Sequence, residues 1–179
     1  MQNKSFVSGK QFFVTEVENA LNVQINNELV ASYHYLAMAN IFARDTIALL
    51  GAAKFFYKQS EEETNHGRKL MDYVNKRGGI VKLFPIKPLQ QNIMTLDEAL
   101  LFAQNLEKSN NNSIIELHKI ASNNNDSDLT NFIEEFYLKE QIEEINMFTV
   151  LYNRLQRIGS GIGEYFIDKE LNELADKKH

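Results

Sequence analysis

The chain has 179 residues with no Cys, no Trp, only two Pro and a formal net charge of −5. This length fits one domain with a sizeable core, and the lack of Cys excludes disulfides, thiolate zinc sites and rubredoxin-type iron centres. The chain shows no basic stripe for nucleic acid, no signal peptide and no apolar run of transmembrane length. We therefore expect a cytoplasmic protein with neither a nucleic-acid nor a membrane partner.

The first half of the chain is typical of two long helices. Apolar residues recur with a helical period, and they predict one helix from about Thr15 to Ala43 and a second from about Leu49 to Arg77. Both prolines lie in the next segment, which opens with Gly78 and runs to about Thr95. Glycine and proline predict that this segment is not helical.

The second half predicts three more helices. The third starts near Thr95, whose hydroxyl forms a capping box with Glu98 three residues later, and it ends before the asparagine turn at 123–125. A fourth runs from about 127 to 158. Three glycines then break the chain before a short helix over about 164–175.

The connections between the helices predict the topology. The first and third connections are short, so each should join two antiparallel helices. A helix of about 28 residues spans roughly 42 Å, and about 16 extended residues cover roughly 50 Å. The long segment can therefore return along the whole bundle. We predict an all-α fold in one domain over 1–179: an N-terminal extension (1–14), a four-helix bundle with one long crossover between the second and third helices (15–158), and a short fifth helix.

Ionisable residues interrupt the apolar inner face of each bundle helix. The second helix carries a Glu-x-x-His, which places a carboxylate and an imidazole one turn apart on the face that should be buried. The other three helices each direct one or two polar groups to the same interior. The candidate ligands are Glu28, Glu63, His66, Glu107, Gln141 and Glu144.

Two interpretations of these residues are possible. A single inward Glu is usually solvated or paired with Lys or Arg. Here no inward Lys or Arg lies near these positions, and carboxylates gathered without a cation would repel one another. A metal ion removes that cost. Oxygen-rich ligation with one imidazole favours iron or manganese over structural zinc, and six candidate groups imply a second ion.

Segments along nearly the whole chain resemble the signature segments of ferritins. The first helix matches over Gln24–Leu36, the second over Glu61–Met71 and the fourth over Phe132–Gln141. Shorter matches are Arg77-Gly78-Gly79 at the start of the crossover, Leu106-Glu107-Lys108 in the third helix and Glu164–Lys169 in the last helix. The chain is similar to ferritins in the joint spacing of these segments.

The resemblance implies a role for each candidate ligand. The first iron would be held by Glu28, Glu63 and His66, with Glu63 bridging to the second iron. The second iron would be held by Glu107 with Glu144 as a further ligand, and Gln141 would lie close to the pair. Tyr35 matches the tyrosine that sits beside this centre in ferritins, although it is also compatible with a core aromatic whose hydroxyl bonds a carboxylate.

The resemblance also favours the haem-free bacterial type of ferritin. Bacterioferritins carry a second Glu-x-x-His in the fourth helix, where this chain has Gln141-Ile142-Glu143-Glu144 instead. They also bind haem through a Met after the bridging Glu, and Thr64 occupies that place here. Glutamates matching the third iron site of haem-free bacterial ferritins imply a third, weaker site. They are Glu62, Glu140, Glu143 and Glu144. Without the resemblance, the first three would be interpreted as a solvated face.

The function implied is iron storage with ferroxidase activity. Two Fe(II) ions would be oxidised by dioxygen or peroxide, and the ferric product would be stored inside a cage of twenty-four copies, without haem. One rival is a structural cage subunit that does not oxidise iron, and another is a rubrerythrin-type oxidase that does not store it. Asn131 replaces the Asp of the three-fold channel of animal ferritins, although Glu134 is kept. We expect His34, His118 and His179 at the surface.

Overall fold

The computed structural model describes residues 7–88, 93 and 95–177, and within these residues the regular structure is helical. The first three helices are α1, α2 and α3, and the fourth bundle helix consists of α4, a π-helical turn and α5. A last helix, α6, follows. Their bounds are Thr15–Phe42, Leu50–Lys76, Leu96–Asn123, Ser127–Ile133, Glu134–Leu138, Lys139–Ile158 and Ile162–Asp176, in chain order. The predicted helix ends are correct to within one or two residues.

Helix ends follow local signals in the sequence. The predicted capping box is present, with the Thr95 hydroxyl and the Glu98 carboxylate each bonded to the other residue's backbone N–H. The Asp126 side chain accepts a bond from Leu129 N at 3.2 Å and caps α4. The fifth helix begins at Ile162 rather than 164, because Gly161 (φ +80°) ends the turn directly before it.

Side-chain contacts confirm the predicted topology. Helix α1 is antiparallel to α2, since Ser32 meets Ser60 and Asn40 meets Tyr57. It is also antiparallel to α3, because Asn124 bonds Glu16 at one end while Tyr35 bonds Glu107 farther along. Helices α2 and α3 are therefore parallel, as the long crossover requires. Residues 89–92 and 94 of that crossover lie outside the described residues.

The interior consists of two apolar clusters with a polar layer between them. One cluster includes Phe42, Phe56 and Phe148, and the other includes Leu21 and Leu70. On every bundle helix the predicted ligands fall between a residue of one cluster and a residue of the other. The apolar clusters fix the helices on both sides of the polar layer, which positions its side chains.

The N-terminal segment packs against the end of the bundle that is remote from α6. Phe13 is buried beneath the Arg77 guanidinium, which lies 4.8 Å from the ring centroid. Arg77 also forms a bidentate pair with Asp126, with both N–O distances at 2.9 Å. The predicted extension therefore adds to the core through Phe13, while its residues 1–6 lie outside the described residues. None of the described helices has an apolar stretch long enough to cross a membrane.

Helix α6 packs across the start of α2 and against α5. Asp168 Oδ1 accepts a bond from Ala52 N at 2.8 Å, so α6 caps the first turn of α2. A Cβ on Gly51 would lie 1.9 Å from the Asp168 carbonyl oxygen. Glycine is therefore required at this position for α6 to approach so closely.

Candidate metal centre

Five of the six candidate ligands are almost completely removed from solvent, and the sixth is partly buried. Glu28, Glu63 and Glu107 are each at most 1% exposed, Gln141 is 3% exposed and His66 is 7% exposed. Glu144 is partly buried. Burying several ionisable groups midway along an apolar bundle is unfavourable unless they are paired or bind a metal ion.

The structure brings these residues into two groups that share one carboxylate. Ligand atoms of Glu28, Glu63 and His66 lie within 4.8 Å of one another, and so do those of Glu63, Glu107 and Glu144. We call them the first and second clusters. Each has three potential ligand atoms, which is a sufficient number for an open metal site. Glu63 belongs to both clusters, as expected for a bridging ligand.

Neutral donors hold the second cluster in place. Gln141 donates from Nε2 to Glu107 Oε2 and to Glu144 Oε2, both at 3.0 Å. The Tyr35 hydroxyl donates to the other oxygen of Glu107. The Tyr35 ring is buried between Phe56 and Phe148, with centroids 6.1 and 6.0 Å away, so its hydroxyl has a fixed position.

Two buried oxygens in this layer have no hydrogen-bond partner among the described residues. They are Oε2 of Glu63 and Oε1 of Gln141. A buried acceptor without a donor costs about 1–3 kcal/mol. A bound cation would satisfy both oxygens. The donor chemistry of the two clusters, with carboxylates and one imidazole, suits iron or manganese.

The electrostatics of the layer favour a multivalent cation. Burial, followed by the nearby charges of Glu107 and Glu28, holds the pKa of Glu63 well above its ordinary value. Burial and the charges of Glu107 and Glu63 likewise raise the pKa of Glu144 strongly. Burial also raises the pKa of Glu107, although the bonds from Tyr35 and Gln141 oppose this. A bound metal ion would stabilise the ionised carboxylates and so oppose these shifts.

No described Lys or Arg forms an ion pair with the carboxylates of the two clusters. His66 lies between two glutamates, with Nε2 3.3 Å from Glu140 Oε2 and Nδ1 3.7 Å from Glu63 Oε2. Burial lowers the pKa of His66, but the bond to Glu140 and the surrounding carboxylates outweigh burial and raise it. Among the described residues, pairing with Lys or Arg therefore does not neutralise the clusters, and the metal-binding interpretation is favoured.

The four glutamates predicted for a third site line one pocket of about 220 Å³. Glu62 contacts Gln59 Nε2 and lies 3.4 Å from Lys58 Nζ, while Glu143 is exposed. The two compact clusters do not include Glu62, Glu140 or Glu143. The third site therefore stays a prediction, with looser geometry than the two clusters.

Three residues beside the centre were not given a role from the sequence. The Tyr137 hydroxyl donates to the His66 carbonyl at 2.9 Å, and its ring meets the His66 ring edge to face. Gln24 and Asn110 both bond Glu28. The signal for Gln24 and Asn110 was their spacing, since each lies one turn from a predicted ligand on the same buried face.

The remaining polar candidates lie away from both clusters. Glu134 is exposed and pairs with His118 Nε2 at 2.7 Å, and Asn131 is exposed beside it. His34 is half-buried against Phe102. His179 lies outside the described residues.

A helical bundle with two linked carboxylate clusters in its buried layer defines a metal-binding carboxylate bundle protein. Comparison with known proteins identifies the family. The ferritin-like domain matches residues 18–158. The chain is 45% identical to the Ferritin-2 heavy chain of Schistosoma mansoni, over 92% of this chain and 96% of that protein.

Two further relatives extend the comparison to other organisms. The Soma ferritin of Lymnaea stagnalis is 44% identical, over 93% of this chain and 96% of that protein. The chloroplastic Ferritin-1 of Pisum sativum is 41% identical, over 90% of this chain and 66% of that protein. The chain belongs to the ferritin family.

Proposed function

We propose that this ferritin oxidises Fe(II) at the two clusters and stores the ferric product. The observation that carries the proposal is the shared carboxylate of Glu63, which would allow two iron ions to bind side by side. The first would be held by Glu28, Glu63 and His66, and the second by Glu63, Glu107 and Glu144. The identity of 45% with a protein named as a heavy chain supports this function.

The chemistry follows from the charge of the ligands. Anionic carboxylates stabilise Fe(III) more than Fe(II), so they lower the potential of bound iron and favour its oxidation. Each of two Fe(II) ions loses one electron, and dioxygen takes up both electrons with two protons to give hydrogen peroxide. Peroxide could serve as the oxidant in a further cycle. Tyr35 and Gln141 hold Glu107 in position during this exchange.

We further propose two iron ions at this centre and a third, weaker site at the pocket of Glu62, Glu140, Glu143 and Glu144. The protein would contain no haem, because Thr64 stands where a haem ligand would be needed and its hydroxyl bonds Ser60 and Ser32. This combination favours the haem-free bacterial type. The proposed bacterial type rests on these residues alone, since the relatives named above come from animals and a plant.

Storage requires an enclosed space, which a single bundle does not provide. We propose a homo-oligomeric cage of twenty-four copies in the cytoplasm, with Fe(II) and dioxygen or peroxide as substrates. Helix α6 would pack at the four-fold axes.

Stopped-flow absorbance on mixing Fe(II) with aerated metal-free protein tests the oxidation. Glu63→Ala should slow the initial rate by more than about tenfold, because both clusters lose their shared ligand. Glu61→Ala is the matched control, since Glu61 is exposed two residues away. Equal rates for wild type and Glu63→Ala would favour a structural cage subunit. Elution of the wild type as a dimer on a sizing column would instead favour an oxidase that does not store iron.

A further inference from the structure

Three buried side chains form a closed ring of hydrogen bonds at the edge of the first cluster. Gln24 donates from Nε2 to Glu28 Oε1 at 2.8 Å, and Asn110 donates from Nδ2 to Glu28 Oε2 at 2.8 Å. Gln24 Nε2 also donates to Asn110 Oδ1 at 2.6 Å, which closes the ring. Gln24 is 1% exposed and Asn110 is 5% exposed, so water does not replace these bonds.

The ring also fixes which way each amide faces. Because Asn110 Oδ1 accepts from Gln24, the amino group of Asn110 must point to Glu28. A flipped Asn110 would direct its carbonyl oxygen at a carboxylate oxygen and lose both bonds. Asn27 adds a longer contact of 3.5 Å to Gln24 Oε1 and is itself bonded to Ser113 at 2.7 Å. The ring is thereby connected to the surface of α1 and α3.

The carboxylates of the two clusters differ in how they are held. Both oxygens of Glu28 accept amide bonds, and both oxygens of Glu107 accept bonds from Tyr35 and Gln141. Glu63 Oε2 instead has no donor among the described residues. The ligands at the two ends therefore have a neutral donor on each oxygen, whereas the shared ligand between them has one oxygen without a donor.

We propose that Gln24 and Asn110 are positioning residues that hold the Glu28 carboxylate in the orientation that binds the first metal ion. This inference rests on the proposed function of the two clusters. Each carboxylate oxygen has two acceptor directions, and the amide bond uses one of them. The other direction stays available to metal. Groups that orient a metal ligand in this way typically contribute 10–100-fold to metal affinity.

Oxygen-free titration of the metal-free protein with Co(II) tests the assignment. Calorimetry gives the affinity, and visible absorption reports the coordination. Asn110→Leu and Gln24→Met keep the side-chain volume but remove the donors, and each should weaken the first Co(II) by about 10–100-fold. The matched control is Asn112→Leu, an exposed asparagine on the same helix, which should bind as wild type does. Because Gln24 lies on α1, Gln24→Met tests the same role independently of any change that Asn110→Leu causes in α3.

A double-mutant cycle separates positioning from packing. In a Glu28→Gln background, Asn110→Leu should cause little further loss of Co(II) affinity, because the carboxylate that it orients is gone. Equal losses in both backgrounds, or wild-type affinity in both single variants, would overturn the inference while the clusters still bind metal. Absence of Co(II) binding by the wild type itself would overturn the proposed function and the inference together.

Discussion

At the scale of single residues, the same groups that suit the centre to metal destabilise the metal-free protein. Glu63, Glu107 and Glu144 are confined where burial and mutual repulsion oppose their ionisation. Each proton that leaves the layer adds a buried negative charge without a cation. The free energy of unfolding should therefore depend on pH in a direction set by these residues.

We predict that the metal-free protein becomes more stable as the pH falls from neutral to about 5.5. A glutamate with a raised pKa in the folded state contributes stability below its ordinary value of 4.5, and this is lost as the pH rises through the raised pKa. The raised pKa of His66 acts in the same direction, while His34, whose pKa burial lowers, opposes it. Thermal unfolding of metal-free protein across this range is the measurement.

A variant identifies the source of the pH effect. Glu63→Gln with Glu144→Gln removes two of the three glutamates with a raised pKa, so the melting temperature should vary less with pH than in the wild type. Glu18 does not interfere, because Lys10 lowers its pKa and its contribution is lost only below 4.5. A wild-type melting temperature that falls steadily between neutral pH and pH 5.5 would contradict the prediction.

At the scale of elements, the sequence predicted the helices well but not the π-helical turn in the fourth bundle helix. Its residues have ordinary helical propensity, so the composition of this segment did not predict a π-helical turn. The spacing of buried residues did contain a signal. Leu129, Ile133, Tyr137 and Gln141 are all buried at steps of four, and in an ideal α-helix three such steps drift by about 120°. The wider π turn reduces this drift and keeps Gln141 at the centre.

The contact of α6 with α2 depends on one glycine. We predict that Gly51→Ala destabilises the protein by about 2 kcal/mol or more, because the new Cβ would meet the Asp168 carbonyl oxygen at 1.9 Å. Relief of this clash requires α6 to move away, which also breaks the bond from Ala52 N to Asp168. Thermal unfolding and limited proteolysis within α6 measure both effects.

Gly9→Ala is the matched control for this prediction. A Cβ on Gly9 would have nothing within 4 Å, so the stability should be unchanged to within about 0.5 kcal/mol. If Gly51→Ala were as stable as Gly9→Ala and α6 were equally protected from protease, the close approach of α6 to α2 would not be required for the stability of the protein.

At the scale of the whole molecule, the site could be anticipated from the sequence to the extent that helical periodicity defines it. Glu28, Glu63 and Glu107 each interrupt an apolar stripe, so their convergence followed from the bundle topology. The contacts of Gln24, Asn110 and Tyr137 could not be predicted in this way. A buried amide or phenol at helical spacing resembles any core polar group whose hydrogen bonds are satisfied. Their partners lie on other helices, and only the packed structure shows which donor meets which acceptor.

The surface of the single chain predicts how it assembles. Ile80, Leu83, Phe84 and Ile86 are 38–67% exposed within one short stretch of the crossover. A concentration of exposed apolar side chains marks an interaction surface. Twenty-four chains of 20.7 kDa would give a cage of about 500 kDa, and we expect this stretch to be buried between subunits there.

We predict that Leu83→Glu combined with Phe84→Glu prevents assembly but leaves iron oxidation largely intact. Two charges buried in a subunit interface are unfavourable, whereas both clusters lie within one chain. Size-exclusion chromatography with light scattering should show species far below about 500 kDa, and stopped-flow should show a rate of Fe(II) oxidation within about threefold of wild type. The soluble ferric core should be lost. Lys87→Glu, which reverses the charge at an exposed position nearby, should still assemble. A double variant that forms intact, mineral-filled cages would show that this stretch is not a subunit contact.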